Sequence, residues 1–342
     1  MQAEERKDRG NQGMALPRVI FGTSCLGNLF IALGEQEKLE IVRECVNLSE
    51  GKVVFDSAGK YGAGLALETL GNCLKELGVP REKAIISNKL GWLRAPLQTD
   101  EPTFEPGVWK DLKHDAVQKI SYEGILECFE QGNALLGEYL PEMVSVHDPD
   151  EYLAAAEDGR DADRRYDDIL DAYEALFDLK RQGKVSSIGV GAKDWKVIRR
   201  LSVDVSFDWI MIANSMTIKK HPAELLNFIA EMDHKGVYVI NSAVFHAGFL
   251  VGGDYFDYRP VKRGVPDDDL LLKWRNSFFE ICRLYNVKPA EACVRFAINV
   301  PGVSSVALNT TNAKRVQQNI GLVNATIPVE FWEALRKQKL IN

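Results

Sequence analysis

A TIM (β/α)8 barrel with long loops at the strand C-terminal face is the fold class this sequence predicts, on three observations. Eight short β-branched or apolar runs recur along the 342 residues, each followed by sequence of helical periodicity. The runs are apolar nearly throughout instead of alternating, which is the pattern of parallel strands covered on both faces. No GxGxxG follows the first run, and that counts against an open, doubly wound sheet.

The elements follow in order. The first strand run is RVIFGTSCL, Arg18–Leu26, with a helical pattern over Glu35–Leu48. KVVFDSA precedes a helix over Leu67–Leu77, and AIISNKL, Ala84–Leu90, is the third run. A helix near Tyr122–Gly137 leads to EMVSVHD, Glu142–Asp148, and a helix over Asp168–Gln182 leads to KVSSIGVGA. Helix Trp195–Leu201 comes before DWIMIAN, and helix Pro222–Lys235 before GVYVINSAV. One long helical region, about Leu270–Val300, then SSVALNT and a helix over Asn312–Gly321 complete the eightfold pattern.

Two connections exceed what the repeat needs. Residues 92–120, after the third strand, and 245–268, after the seventh, are long and rich in aromatic, Gly and Pro residues. Both leave strand C-termini, the face where such barrels hold their chemistry, so they are read as pocket walls or lids. Residues 1–15 are charged and lack the apolar stretch of a secretory signal; a mobile tail is expected there, ahead of one catalytic domain over 16–342.

Composition excludes several classes. A net charge of -7 disfavours a nucleic-acid surface, and no apolar run is long enough to span a bilayer. The six cysteines have no metal-ligand or CxxC spacing, so buried reduced thiols, no metal and a cytoplasmic setting are expected.

Titratable residues gather at one end of the predicted barrel. The second strand runs into FDSAGKYGAG, bringing Asp56 and, five residues on, Tyr61 followed by Gly62 and Gly64. Lys89 lies near the end of the third strand and His147 at the end of the fourth. A charge at the end of an apolar strand is costly without a partner. Taken singly, each has a plainer reading, as cap, snorkelling lysine, core histidine or wall residue. Together at one mouth they suit hydride transfer to or from a carbonyl carbon. A phenol is a weak acid and base at neutral pH, and an adjacent ammonium favours its phenolate. Asp56 would hold Lys89, and His147 would orient the reacting oxygen.

FDSAGKYG followed by the strand lysine and histidine resembles the aldo-keto reductases, as do FGTSCLGN, GKVSSIGVGA and NTTNAKRVQQN. The resemblance covers nearly the whole chain beyond the tail. It implies Asp56, Tyr61, Lys89 and His147 as a catalytic tetrad with tyrosine as acid/base, and NAD or NADP as cofactor. SVHDPDEY, EALFDLKRQGKVSSIGVG and VINSAVFHAGFL are most similar to the aldose 1-dehydrogenase branch, with its fucose, galactose and pyridoxal dehydrogenase relatives. That implies oxidation of a sugar such as L-fucose at C1.

By the same resemblance the cofactor would meet Gly22, Thr23, Asp56, Gly191, Asn214, Asn241, Ser242, Phe245, Gly248, Leu250, Asn309, Thr310, Arg315 and Asn319. Gly191-Ala192 stand where the family usually has Ser-Asn, and Asn241 where many members stack an aromatic on the nicotinamide. Asn309-Thr310 replace the Lys-Ser pair that grips a 2′-phosphate, which favours NAD, although Lys314 or Arg315 would compensate. The pyrophosphate would lie near Gly248, Leu250 and the helix start at Asn312. Leu29, Trp92, Trp109 and Phe245 would wall the substrate pocket. Two alternatives stay open: an NADPH-dependent aldehyde or ketone reductase, and a nicotinamide-binding regulatory subunit without catalysis.

Overall fold

Period-2 alternation sorts the strand residues of the computed structural model, which describes residues 16–342 apart from Tyr258, into two cores. One residue set, Ile20, Val54, Ile85, Met143, Trp209, Met211 and Ile240, comes from six strands and packs with itself in the barrel lumen. The intervening residues, among them Phe55, Ile86, Val144, Ile188, Ile210 and Val239, pack outward against the helices in a much larger cluster. Apolar residues of both parities are therefore buried, and this produces the continuous apolar runs of the sequence.

The barrel strands are Val19–Gly22, Val53–Ala58, Ala84–Leu90, Met143–His147, Ser187–Ala192, Trp209–Ala213, Tyr238–Ser242 and Val303–Leu308. They are parallel and close on themselves in sequence order, first against last with Val19 opposite Val306. Trp209 fills the lumen, and it does so only because Gly189 faces it: a Cβ there would stand 2.1 Å from the indole. The eight runs expected from the sequence are these eight strands.

Polar side chains start several of the surrounding helices. Ser121 accepts from the Gly124 amide at 3.0 Å, Asp158 from Asp161 at 2.8 Å and Asp194 from Lys196 at 2.9 Å. Each cap of this kind contributes about 1 kcal/mol. The single helical region expected over 270–300 is two helices, Pro266–Leu284 and Pro289–Ile298. Pro289 has no N–H and disfavours helical backbone at the residue before it, so it ends one helix and sits at the first turn of the next. Helices Pro149–Ala154 and Val329–Lys337 also form, the first holding part of the HDPDEY segment.

Both long connections carry strands of their own. Trp92–Pro96 pairs antiparallel with His114–Gln118, and Tyr255–Phe256 pairs with Arg259–Pro260. Phe30, in the connection after the first strand, stacks on Tyr255 at 5.1 Å, so the second excursion meets that connection. All six cysteines are buried. Among the described residues no helix is long and apolar enough to cross a membrane. The expected tail, residues 1–15, lies outside the described residues.

Candidate active site

The lumen parity of the strands lifts three of the four expected residues to the mouth. Asp56 stands two residues above Val54, Lys89 four above Ile85, and His147 four above Met143, each on the lumen side of its strand. Lys89 Nζ donates to Asp56 Oδ2 at 2.6 Å, with both side chains buried. The same ammonium lies 4.8 Å from the centre of the Tyr61 ring, and the His147 ring meets Tyr61 edge-on at 5.6 Å.

Tyr61 reaches this point because the chain turns sharply behind it. Gly62 has φ +61, and a Cβ there would meet the Gly27 carbonyl oxygen at 2.3 Å, so the turn requires glycine. Tyr61 itself is half-buried, unlike Asp56, Lys89 and His147, which are buried.

Burial holds His147 well below the usual imidazole range, and Lys89 and Lys60 add to the effect. A neutral ring suits a hydrogen-bonding role. Its Nδ1 is buried without a partner among the described residues, and its Nε2 lies 3.6 Å from Asp148 Oδ2. The unfolded chain protonates this ring near pH 6.5 while the folded chain resists, so folding weakens as pH falls below that value. Urea unfolding of wild type should therefore lose about 1 kcal/mol more than His147→Gln between pH 7.5 and 5.5. Parallel pH profiles for the two proteins would contradict it.

The expected cofactor residues divide. Gly22 and Gly191 are lumen-facing at strand ends, and a Cβ at Gly191 would press on Lys89 Cδ at 3.2 Å. Ser242 lies on the lumen side of the seventh strand, and its hydroxyl donates to Ile212 O at 3.4 Å. Asn214, just past the sixth strand with φ 58, keeps a buried Oδ1 without a partner among the described residues. Thr23 donates its hydroxyl to the Asp56 carbonyl at 3.1 Å and fixes the turn after the first strand. Asn309 donates to Ser24 Oγ at 2.8 Å, and Arg315 is exposed on the next helix with Asn319 half-buried.

Two expectations need correction. Asn241 is not at the mouth: it has the outward parity between Ile240 and Ser242, and its Nδ2 donates to Met216 O at 2.8 Å and Ala297 O at 3.4 Å. Reading position along the strand without parity misplaced it. The amides of Gly248 and Leu250 do not face an anion either, since both donate to Phe245 O at 3.1 Å within their own turn. Leu250 itself is buried in the satellite core beneath the second excursion. At Asn312 the side chain accepts from Lys314 N at 3.0 Å, so that helix start is closed by its own residue.

Trp92, Phe104, Trp109 and Leu29, expected in part as a pocket wall, form an apolar cluster packed beside Tyr61. Tyr61 and Trp109 rings lie 5.9 Å apart, and Leu29 bridges to Trp109. Phe245 packs elsewhere, against the helix-facing and satellite cores. Next to the wall stands a charged network that the sequence reading missed. Lys60 meets Glu105 and Glu151 at 2.9 Å and Asp148 at 3.5 Å, and Lys193 pairs with Glu151. Asp150 beside it is pushed up to about 6 by burial and by Asp148. The available signal was local: a lysine inside the tight FDSAGKYG turn, and three acids in HDPDE directly after a strand.

A family model described as the Aldo/keto reductase family matches residues 18–339. The chain is 25% identical to a pyridoxal 4-dehydrogenase of Microbacterium luteolum, over 100% of this chain and 99% of that one. It is 26% identical to a D-threo-aldose 1-dehydrogenase of a Pseudomonas species (96% of each) and 22% identical to an L-galactose dehydrogenase of Arabidopsis thaliana (93% and 88%). Among solved structures, the glycerol dehydrogenase AKR11B4 of Gluconobacter oxydans superposes with TM-score 0.69 at 15% identity. The holo aldo-keto reductase AKR11C1 of Bacillus halodurans does so with 0.67 at 19%. Each comparison covers 95% of this chain and 92% of the other.

Proposed function

Because the chain belongs to the aldo/keto reductase family, and is an NAD(P)-dependent oxidoreductase, we propose that it oxidises an aldose at C1 with Tyr61 as the acid/base. The observation that carries the chemistry is the buried Asp56–Lys89 pair, set 2.6 Å together under the Tyr61 ring with His147 at its edge. The substrate half rests on the aldose dehydrogenase relatives.

A bound nicotinamide supplies the hydride acceptor. The residues fit such a group: the orphaned Asn214 Oδ1 offers an acceptor for a carboxamide N–H, and Ser242 lies at the lumen end beside it. The protein's own part is proton handling. Tyr61 takes the proton of the C1 hydroxyl of the cyclic sugar as the carbonyl forms. The Lys89 ammonium, kept in place by Asp56, stabilises the negative oxygen from which the tyrosine acts as base. His147, held neutral, hydrogen-bonds the substrate oxygen and fixes its distance from Tyr61. Trp109, Trp92 and Leu29 cover the apolar side of the sugar ring and exclude water.

NAD is the cofactor favoured by the mouth. Asn309 carries no charge and is engaged by Ser24, where a 2′-phosphate would want a cation. The deciding experiment measures kcat/KM for free aldoses and pyridoxal with NAD and with NADP. We expect an aldose to be oxidised, faster with NAD, and Asn309→Lys to improve NADP use by about tenfold, the worth of one added charge contact. Preference for NADPH with simple aldehydes, and no turnover of free aldoses, would overturn the reading. An unchanged NADP response in the lysine variant would show that Asn309 lies away from the phosphate.

A further inference from the structure

The segment between the two strands of the first excursion, residues 97–113, is fastened to the barrel mouth from two sides. On one side its backbone bonds the turn after the first strand: Phe30 N donates to Val108 O at 2.8 Å and Lys110 N to Asn28 O at 3.0 Å. On the other side the link is ionic. Lys60, the residue before Tyr61, is 3% exposed and meets Glu105 of this segment at 2.9 Å. The same ammonium meets Glu151 at 2.9 Å and Asp148 at 3.5 Å, in the first turn and at the N-cap of the helix that starts directly after His147, and lies 5.1 Å over the Trp92 ring.

Glu105 uses its second oxygen as well. Oε2 accepts from Trp109 Nε1 at 2.7 Å, and the Trp109 ring faces Tyr61. Glu105 holds φ 44, a backbone conformation that non-glycine residues adopt at a cost of about 1 kcal/mol or more, so its two partners sustain it. A chain of contacts thus runs from the helix start directly after His147, through one ammonium and one carboxylate, to the indole beside the proposed acid/base. Burial alone lowers the pKa of Lys60, but Asp148, Glu105 and Glu151 more than offset this and hold its ammonium above the ordinary lysine range. Lys193 pairs with Glu151 and lies 3.9 Å from Asp148, so it shares two of these acids from the far side of the turn.

We propose that Lys60 is a positioning residue: it fastens Glu105, and with it Trp109, across the mouth to the Asp148–Glu151 turn, and so sets the fit of substrate over Tyr61. The substrate half of this rests on the reading of the site given above; the fastening does not.

Lys60→Met keeps the side-chain length and removes the charge. Glu105→Gln is the milder partner, because its amide oxygen still accepts the indole N–H while the ion pair is lost. Amide hydrogen exchange of residues 97–113 in the full chain should quicken by about tenfold in both variants, as for loss of one partly buried ion pair, with barrel-strand peptides unchanged. Lys60→Arg should restore most of the protection. With any carbonyl or sugar the enzyme turns over, KM should rise by about tenfold and kcat fall much less, because the tetrad itself is intact. Nucleotide affinity, read by fluorescence titration, should stay within about twofold.

If Lys60→Met does not fold, Glu105→Gln decides. Unchanged exchange over 97–113 in folded Glu105→Gln overturns the fastening, whatever the substrate proves to be. Faster exchange with an unchanged KM overturns the substrate-positioning half and leaves a purely structural latch. Failure of the aldose screen alone touches neither result, since exchange needs no substrate.

Discussion

Tyr61→Phe should lower kcat by about a hundredfold or more and leave nucleotide affinity close to wild type. The size follows from the role, since a positioned proton donor or acceptor contributes about 10²–10⁴ in rate. The substitution removes one hydroxyl and keeps the ring, so the aromatic contacts with Trp109 and His147 persist and the pocket wall holds its shape. Lys89 keeps its bond to Asp56, which is independent of the phenol. Steady-state kinetics on the best substrate, with a fluorescence titration of NAD and NADP, measure both halves. Turnover near wild type would remove Tyr61 from the chemistry. A large loss of nucleotide affinity would instead move it into cofactor binding.

That test presupposes a cluster which was largely legible in the sequence, for a reason that lies in the barrel. Strands with both faces buried make a polar residue conspicuous, and Asp56, Lys89 and His147 interrupt apolar runs close to their C-terminal ends. What strand position alone does not carry is parity. Ser242 and Asn241 are adjacent in the chain, yet one is on the lumen side and the other is bonded toward the helix over Pro289–Ile298. Ile240 in the lumen layer fixes this alternation, but only once the barrel is closed. Loop chemistry was less legible still. The amides of Gly248 and Leu250 were expected to be open, and the turn uses both on Phe245. The ion cluster around Lys60 joins residues 60, 105, 148 and 151; the local patterns mark Lys60 and the acids after His147 separately, but only the folded barrel brings them and Glu105 together. The hairpin in the first excursion pairs WLRAP with HDAVQ across the whole of segment 97–113. At that separation pairing is decided by tertiary packing, here on the helix over Tyr122–Leu136.

The other large effect concerns the pair beneath Tyr61. Lys89→Met should cost about 3–5 kcal/mol of stability and abolish turnover, because it strands a buried carboxylate. Asp56 has little recourse: its Oδ2 depends on Lys89, and its Oδ1 is buried without a hydrogen-bond partner among the described residues. Methionine is close to the lysine stem in length, so the neighbours of the stem need not repack, among them Gly191, which stands so near that a Cβ on it would lie 3.2 Å from Lys89 Cδ. The cost is then electrostatic rather than steric, and a second substitution separates the two. Adding Asp56→Asn to Lys89→Met removes the stranded charge and should recover most of the lost stability, giving a strongly non-additive cycle in urea unfolding. It should not recover activity, since neither a thioether in place of the ammonium nor an amide in place of the carboxylate supplies a cation under the phenol. Single variants whose costs simply add would mean the two charges are compensated elsewhere. A Lys89→Met protein within about 1 kcal/mol of wild type would mean the same, and would leave the electrostatic support of Tyr61 to another group. Stability recovered without activity would separate what the ammonium does for the fold from what it does for the tyrosine.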